Sequence, residues 1–144
     1  MKWKFFIWSN CNFSKIVNDF FKRENFTFRT LDDIKDTIVR SDLKYLIRLA
    51  MDIRSKTPLI LAADYIRSYI IYEFGGIYFD IDVSLTRNID WFFDSIDLFL
   101  VIADRTWMGN IWISFLGAKP KHPIMANIVK MSKTVIKTLR LFEK

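Results

Sequence analysis

Three features of the sequence predict an α/β fold. Short apolar and aromatic runs (FFIW at 5–8, FTFRT at 26–30, IYFDI at 77–81, LFLVIA at 98–103, IWISFLGA at 111–118) alternate with stretches whose apolar residues recur every three to four positions. Proline and glycine stand where such helices should begin and end, at Thr57-Pro58, Gly75-Gly76 and His122-Pro123. Neither an internal repeat nor a Pro/Gly/Ser linker divides the 144 residues. One domain over 1–144, with helices and strands in three layers, is the expectation.

Taken in order, residues 3–8 alternate weakly and read as a first strand. Asn12 or Ser14 caps a helix whose face is Ile16, Val17, Phe20 and Phe21. FTFRT is the second strand. Residues 31–54 carry helical spacing in Leu43, Leu46, Ile47 and Ala50, with Ser41 or Asp42 as the start signal. The helix opened by Pro58 runs through LILAADYIRSYIIYEF and stops at the glycine pair. Three strands follow, at 77–81, 98–103 and 111–118. A last helix starts at His122-Pro123, with Ile124, Ile128, Met131 and Val135 on one face.

Composition narrows the function classes. With 51% hydrophobic and 17% aromatic residues the chain is far from the disordered class. The single cysteine, Cys11, excludes an internal disulfide and a Cys-based zinc cluster. No stretch approaches the roughly 18 uncharged apolar residues of a membrane-spanning helix. MKWKFFIWSN holds too short an apolar run, Phe5 to Trp8, for a secretory signal, so the default location is cytoplasmic. A net charge of +6 and a pI near 9.5 favour anionic partners: phosphates, acidic glycans, nucleic acid or an anionic membrane. Nucleic acid has no motif behind it beyond charge. The basic, amphipathic stretch KPKHPIMANIVKMSKTVIKTLRLFEK reads as a solvated face, with peripheral membrane attachment as the alternative. A positive mean hydropathy of +0.12 suggests apolar surface to be covered by another subunit, a membrane or more of the same domain.

The chemistry concentrates in IYEFGGIYFDIDV, residues 71–83. Strands avoid aspartate, yet this one ends in Asp80 and Asp82, which alternation places on one face at the strand's carboxyl end. Two adjacent carboxylates repel and stay ionised when a cation or donors lie between them. Their oxygens suit Mg²⁺ or Mn²⁺, which keep positions open for water and phosphate. The glycines turn the chain and admit a ligand or a second backbone. The bland reading, a solvated loop with two ordinary acids, is weakened by Asp64 and Arg67, three apart on the preceding helix, with Asp64 sixteen residues ahead of Asp80.

AADYIRSYIIYEFGGIYFDIDV resembles the signature of glycosyltransferase family 32, the sugar-binding region containing a D-x-D motif. The motif runs Asp64, Arg67, an apolar helix, Gly75-Gly76, an apolar-aromatic step, then Asp80 and Asp82, all at the family spacing. FFIW is similar to the family's first strand, and FLGAKPKHP (115–123) to a later segment ending in His-Pro. The resemblance implies a GT-A-like, Rossmann-like α/β/α sandwich with a mostly parallel central sheet. It implies metal-dependent, retaining transfer of a hexosyl unit from a nucleotide sugar (UDP- or GDP-hexose) to a glycan, lipid or protein acceptor, with Mn²⁺ or Mg²⁺ as cofactor. Carried onto this chain, Asp82 ligates the metal and Asp80 contacts ribose, sugar or metal through water. Asp64 and Arg67 hold the donor sugar and diphosphate beside Gly75 and Gly76, and Trp8 stacks on the base. No residue is a convincing covalent nucleophile, in keeping with attack from the leaving-group face.

The sequence departs from the family where relatives often carry an asparagine: Ile113 stands there, with the nearest asparagine at 110. Relatives also continue beyond the last helix, which implies a minimal enzyme or a domain lacking a C-terminal part. FDIDVS also matches, superficially, the haloacid-dehalogenase-type phosphatases, which leave Asp64, Arg67 and the glycines unexplained. A shortened domain that binds a nucleotide sugar without turnover shares every motif. His122 reads as a helix-start residue, with catalysis as the alternative.

Overall fold

A computed structural model of the chain describes residues 3–9, 14–80, 82–102 and 111–142. The chain divides into two compact units, Met1–Lys44 and Tyr45–Lys144.

In the first unit β1 (Phe5–Ser9) and β2 (Phe26–Thr30) pair in parallel, with Phe5 opposite Phe26 and Trp8 opposite Arg29. Parallel strands need a crossover, and α1 (Lys15–Arg23) provides it. Ser14 caps α1 by accepting the Val17 amide at 3.5 Å, while Asn12, the other candidate cap, lies outside the described residues. Phe21 seats the helix edge-on against Phe26 and Phe28, with ring centroids 5.7 and 5.2 Å away. Ile16 and Phe20, expected on the same packed face, are exposed. A 3₁₀ turn (Leu31–Asp33) follows, closed when the Thr30 amide donates to Asp33 at 2.7 Å.

The unit boundary falls within α2 (Thr37–Asp52). Its start differs from the sequence expectation: Asp36 accepts the amides of Ile38 and Val39 at 2.9 and 3.1 Å. Ser41 and Asp42 therefore lie inside the helix, and Asp42 is buried. Leu43, Leu46 and Ala50 are buried, as the periodicity predicts.

In the second unit α3 (Thr57–Phe74) packs against α5 (Pro123–Phe142) beside a three-stranded sheet. The sheet has the order β3 (Gly76–Phe79), β5 (Ile111–Ala118), β4 (Leu98–Ile102). Both pairings are antiparallel, which corrects the expectation of a mostly parallel central sheet. Only residues 103–110 join β4 to β5, and a parallel return takes roughly a dozen residues or more. Parallel pairing among the described residues is confined to β1 and β2, so the fold is mixed α/β with two small sheets. A short helix, α4 (Asp90–Ser95), was not anticipated.

Ile71, Leu116, Ala118 and Met125 form one buried apolar cluster of this unit. On α5 the buried residues are Met125, Val129 and Ile136. Of the face read from the sequence, Ile128 packs against the core, while Ile124, Met131 and Val135 are exposed, Met131 at 68%. Two apolar stripes run side by side on this helix, and periodicity alone does not choose between them.

The end of α3 positions everything that follows. Gly75 ends the helix at φ 67°, its amide donating to Ile71 at 2.9 Å, and Gly76 continues at φ 97°. A Cβ on Gly75 would lie 2.5 Å from the Pro120 ring, whereas one on Gly76 would meet nothing within 4 Å. The turn before α5 is tied back to α3 by the Lys121 amide, 2.6 Å from the Tyr72 carbonyl, and by Lys121 Nζ, 2.5 Å from Glu73. Among the described residues no helix is long and apolar enough to cross a membrane.

Candidate active site

The site is built by one turn of α3 and the end of β3. Residues three apart on a helix share a face, which brings Arg67 Nη2 to 3.6 Å from Asp64 Oδ1. The other arm of the guanidinium, Nη1, lies 3.4 Å from Asp80 Oδ1. Its Nε–H donates to the Ala63 carbonyl at 3.2 Å. Arg67 is thus held in three directions, and its side chain is only 13% exposed.

Tyr78 completes the cluster, and it is the residue whose role the sequence reading missed. Its hydroxyl donates to Asp80 Oδ1, the same oxygen that faces Arg67, and the guanidinium lies over its ring at 4.7 Å from the centroid. Burial and the bond to Asp80 push the phenol's pKa up, so it stays a protonated donor. The signal was available: Tyr78 and Asp80 are two apart in an extended run, so they share a face.

The same alternation does not extend to Asp82. The Asp80 amide still bonds across the sheet to the Ser114 carbonyl at 2.8 Å, but Val83 N–H then returns to the Asp80 carbonyl at 2.9 Å. That turn takes Asp82 out of the pleat, so the two aspartates do not share a strand face as expected. Asp82 stands exposed in the turn.

Asp64 sits in a mixed field. Burial raises its pKa most, the Arg67 charge opposes that, and the Asp80 charge adds to it. A folded pKa above the unfolded one means the folded state binds the proton more tightly. The stabilising contribution is therefore full below 3.8 and is lost as pH rises through the folded value. Asp64→Asn should flatten the stability–pH profile across that acidic window, measured by denaturant unfolding at a series of pH values. An unchanged profile would show that Asp64 is not the group responsible.

The remaining sequence candidates fall elsewhere. Gly75 is filled against by Pro120, so packing explains it, while a Cβ on Gly76 would meet nothing within 4 Å. Trp8 is half-buried on β1 in the first unit. His122 acts at the start of α5, its Nδ1 accepting the Ile124 amide at 3.3 Å. Asn110 lies outside the described residues.

A helix-borne Asp–Arg pair thus meets the first acid of a D-x-D turn. Residues 2–98 match the family described as the glycosyltransferase sugar-binding region containing a DXD motif. The chain belongs to this family. The matched segment includes every member of the cluster and ends at the first residue of β4. Among curated proteins, this DXD glycosyltransferase chain is 28% identical over 102 residues to mannosyl phosphorylinositol ceramide synthase CSH1 of Saccharomyces cerevisiae. That match covers 71% of this chain and 25% of the relative, so the chain spans about a quarter of that relative's length. No solved structure matches.

Proposed function

We propose that the chain is a metal-dependent, retaining glycosyltransferase that moves a hexosyl unit from a nucleotide sugar to an acceptor. The name of the yeast relative favours mannose as the sugar and an inositol-phosphate-bearing membrane lipid as the acceptor. The observation that carries the reading is the meeting of Asp64, Arg67 and Asp80, from two different elements, at the start of an exposed turn that presents Asp82.

The donor set fits a hard divalent ion. Asp80 engages Arg67 and Tyr78 through one oxygen, Oδ1, leaving Oδ2, and Asp82 is exposed. Among the described residues no third His, Cys, Asp or Glu joins them. One or two carboxylates completed by phosphate and water is the set that Mg²⁺ takes in phosphate-handling sites. A bound Mn²⁺ or Mg²⁺ held by Asp82 and Asp80 would supply charge neutralisation at the leaving diphosphate.

The chain's own residues do the rest. Arg67, always charged, offers planar donors to diphosphate oxygens. Asp64 accepts from sugar hydroxyls and fixes the ring beside the metal-binding turn. Gly76 leaves room where a side chain would obstruct the donor.

Calorimetric titration with GDP-mannose and UDP-glucose, with and without Mn²⁺, tests the reading. Binding of at least one donor is expected only when manganese is present. No heat with either donor in saturating manganese would sink it.

A further inference from the structure

We infer that Arg67 weakens this site's hold on a free divalent cation and favours one that binds together with a diphosphate. The inference rests on the metal reading above and concerns how the protein's own charges set the order of loading.

Asp80 has two cationic claimants. In the structure a guanidinium already stands 3.4 Å from its Oδ1, and the same group spans to Asp64 at 3.6 Å. Arg67 cannot relieve the conflict by losing its proton, because a guanidinium stays charged throughout the working pH range. Nor is it free to swing aside: Nε–H is bonded to the Ala63 carbonyl, and the Tyr78 ring lies beneath the guanidinium. At 13% exposure the charge is poorly screened, so a divalent cation arriving alone at the Asp80–Asp82 turn meets a fixed positive neighbour.

A diphosphate reverses that balance. It brings negative charge and oxygens that the two guanidinium arms can grip bidentately, in place of Asp64 and Asp80. Asp80 is then released to the cation, and the repulsion between cation and arginine is bridged by anion. By linkage, whatever factor the diphosphate adds to cation affinity, the cation returns to the diphosphate. The consequence is less idle metal occupancy, with a diphosphate-bearing nucleotide as the species that completes the site.

The test measures Mn²⁺ affinity on the full chain by calorimetry or by electron paramagnetic resonance of free Mn²⁺, alone and with saturating GDP. Wild type should bind Mn²⁺ alone weakly, and GDP should tighten it by about fivefold or more, with the reciprocal gain for GDP. Arg67→Met should bind Mn²⁺ alone about threefold tighter than wild type and lose most of the GDP enhancement, whereas Arg67→Lys should keep the weak metal binding of wild type. Arg67→Gln is a second neutral replacement should the methionine variant fail to fold by circular dichroism. The inference is overturned if the neutral variants bind Mn²⁺ no tighter than wild type, or if wild type binds it equally well with and without GDP. In both cases the metal still binds and the metal reading survives. Absence of Mn²⁺ binding in every arm, GDP included, overturns the metal reading itself and the inference with it.

Discussion

Asp82→Asn is expected to remove manganese-dependent donor binding while leaving the fold untouched. The two aspartates of the motif are built differently, and that difference separates function from stability. Asp82 is exposed in the turn after β3, so its loss should change unfolding free energy by less than about 0.5 kcal/mol, as for an ordinary surface substitution. Yet, on the proposed reading, an amide replaces the carboxylate that would hold the cation. Turnover should fall by about 100-fold or more, equivalent to several kcal/mol of lost charge stabilisation.

Asp80→Asn is the contrasting control. Its carboxylate answers both the guanidinium of Arg67 and the hydroxyl of Tyr78. Removing the charge leaves a mostly buried arginine short of a partner, and stability should drop by about 1–3 kcal/mol along with donor binding. Urea unfolding followed by circular dichroism, run beside donor calorimetry, reads both quantities. An Asp82→Asn protein that still bound donor in a manganese-dependent way would remove the second aspartate from the site. One that unfolded as readily as Asp80→Asn would show that the turn is structural.

What the sequence disclosed follows from which interactions are local. Helix ends marked by proline and glycine were legible because single residues determine them: α3 runs from Thr57 to Phe74 and stops at the glycine pair. The Asp64–Arg67 pair was legible because helical spacing fixes neighbours without tertiary information. The antiparallel sheet was not, since strand direction depends on which strands meet. The one local hint was the short 103–110 connection. Asp82 was misplaced for a related reason: two-residue alternation holds only while the ladder lasts, and the Val83–Asp80 turn ends it one residue beyond Phe79. On α5 two adjacent apolar stripes competed, and packing selected the one with Met125, Val129 and Ile136. At α2, Asp36 captured the start because its carboxylate could reach two free amides, which Ser41 and Asp42 could not do from within the helix.

The glycine pair yields the largest expected effect on stability, and its two members should behave unequally. Gly75 stands at φ 67° and ψ −167°, a region essentially closed to residues with a Cβ, so Gly75→Ala carries backbone strain of about 1–3 kcal/mol. Steric overlap adds to it. The new methyl would sit 2.5 Å from Pro120 Cδ and 2.8 Å from its backbone nitrogen, and a proline ring has no rotamer by which to withdraw. Displacing that turn also loosens the Lys121 amide from the Tyr72 carbonyl, so the total loss should reach about 3–5 kcal/mol, a large part of a small domain's stability. Gly76→Ala meets no neighbour within 4 Å and carries the strain of φ 97° alone, about 1–3 kcal/mol. Urea midpoints for the two variants test the distinction. Equal losses would mean that Pro120 gives way freely and that the first glycine is required for its backbone angles alone. The expected inequality assigns Gly75 to closing α3 on the turn before α5 and leaves Gly76 needed for its backbone angle alone.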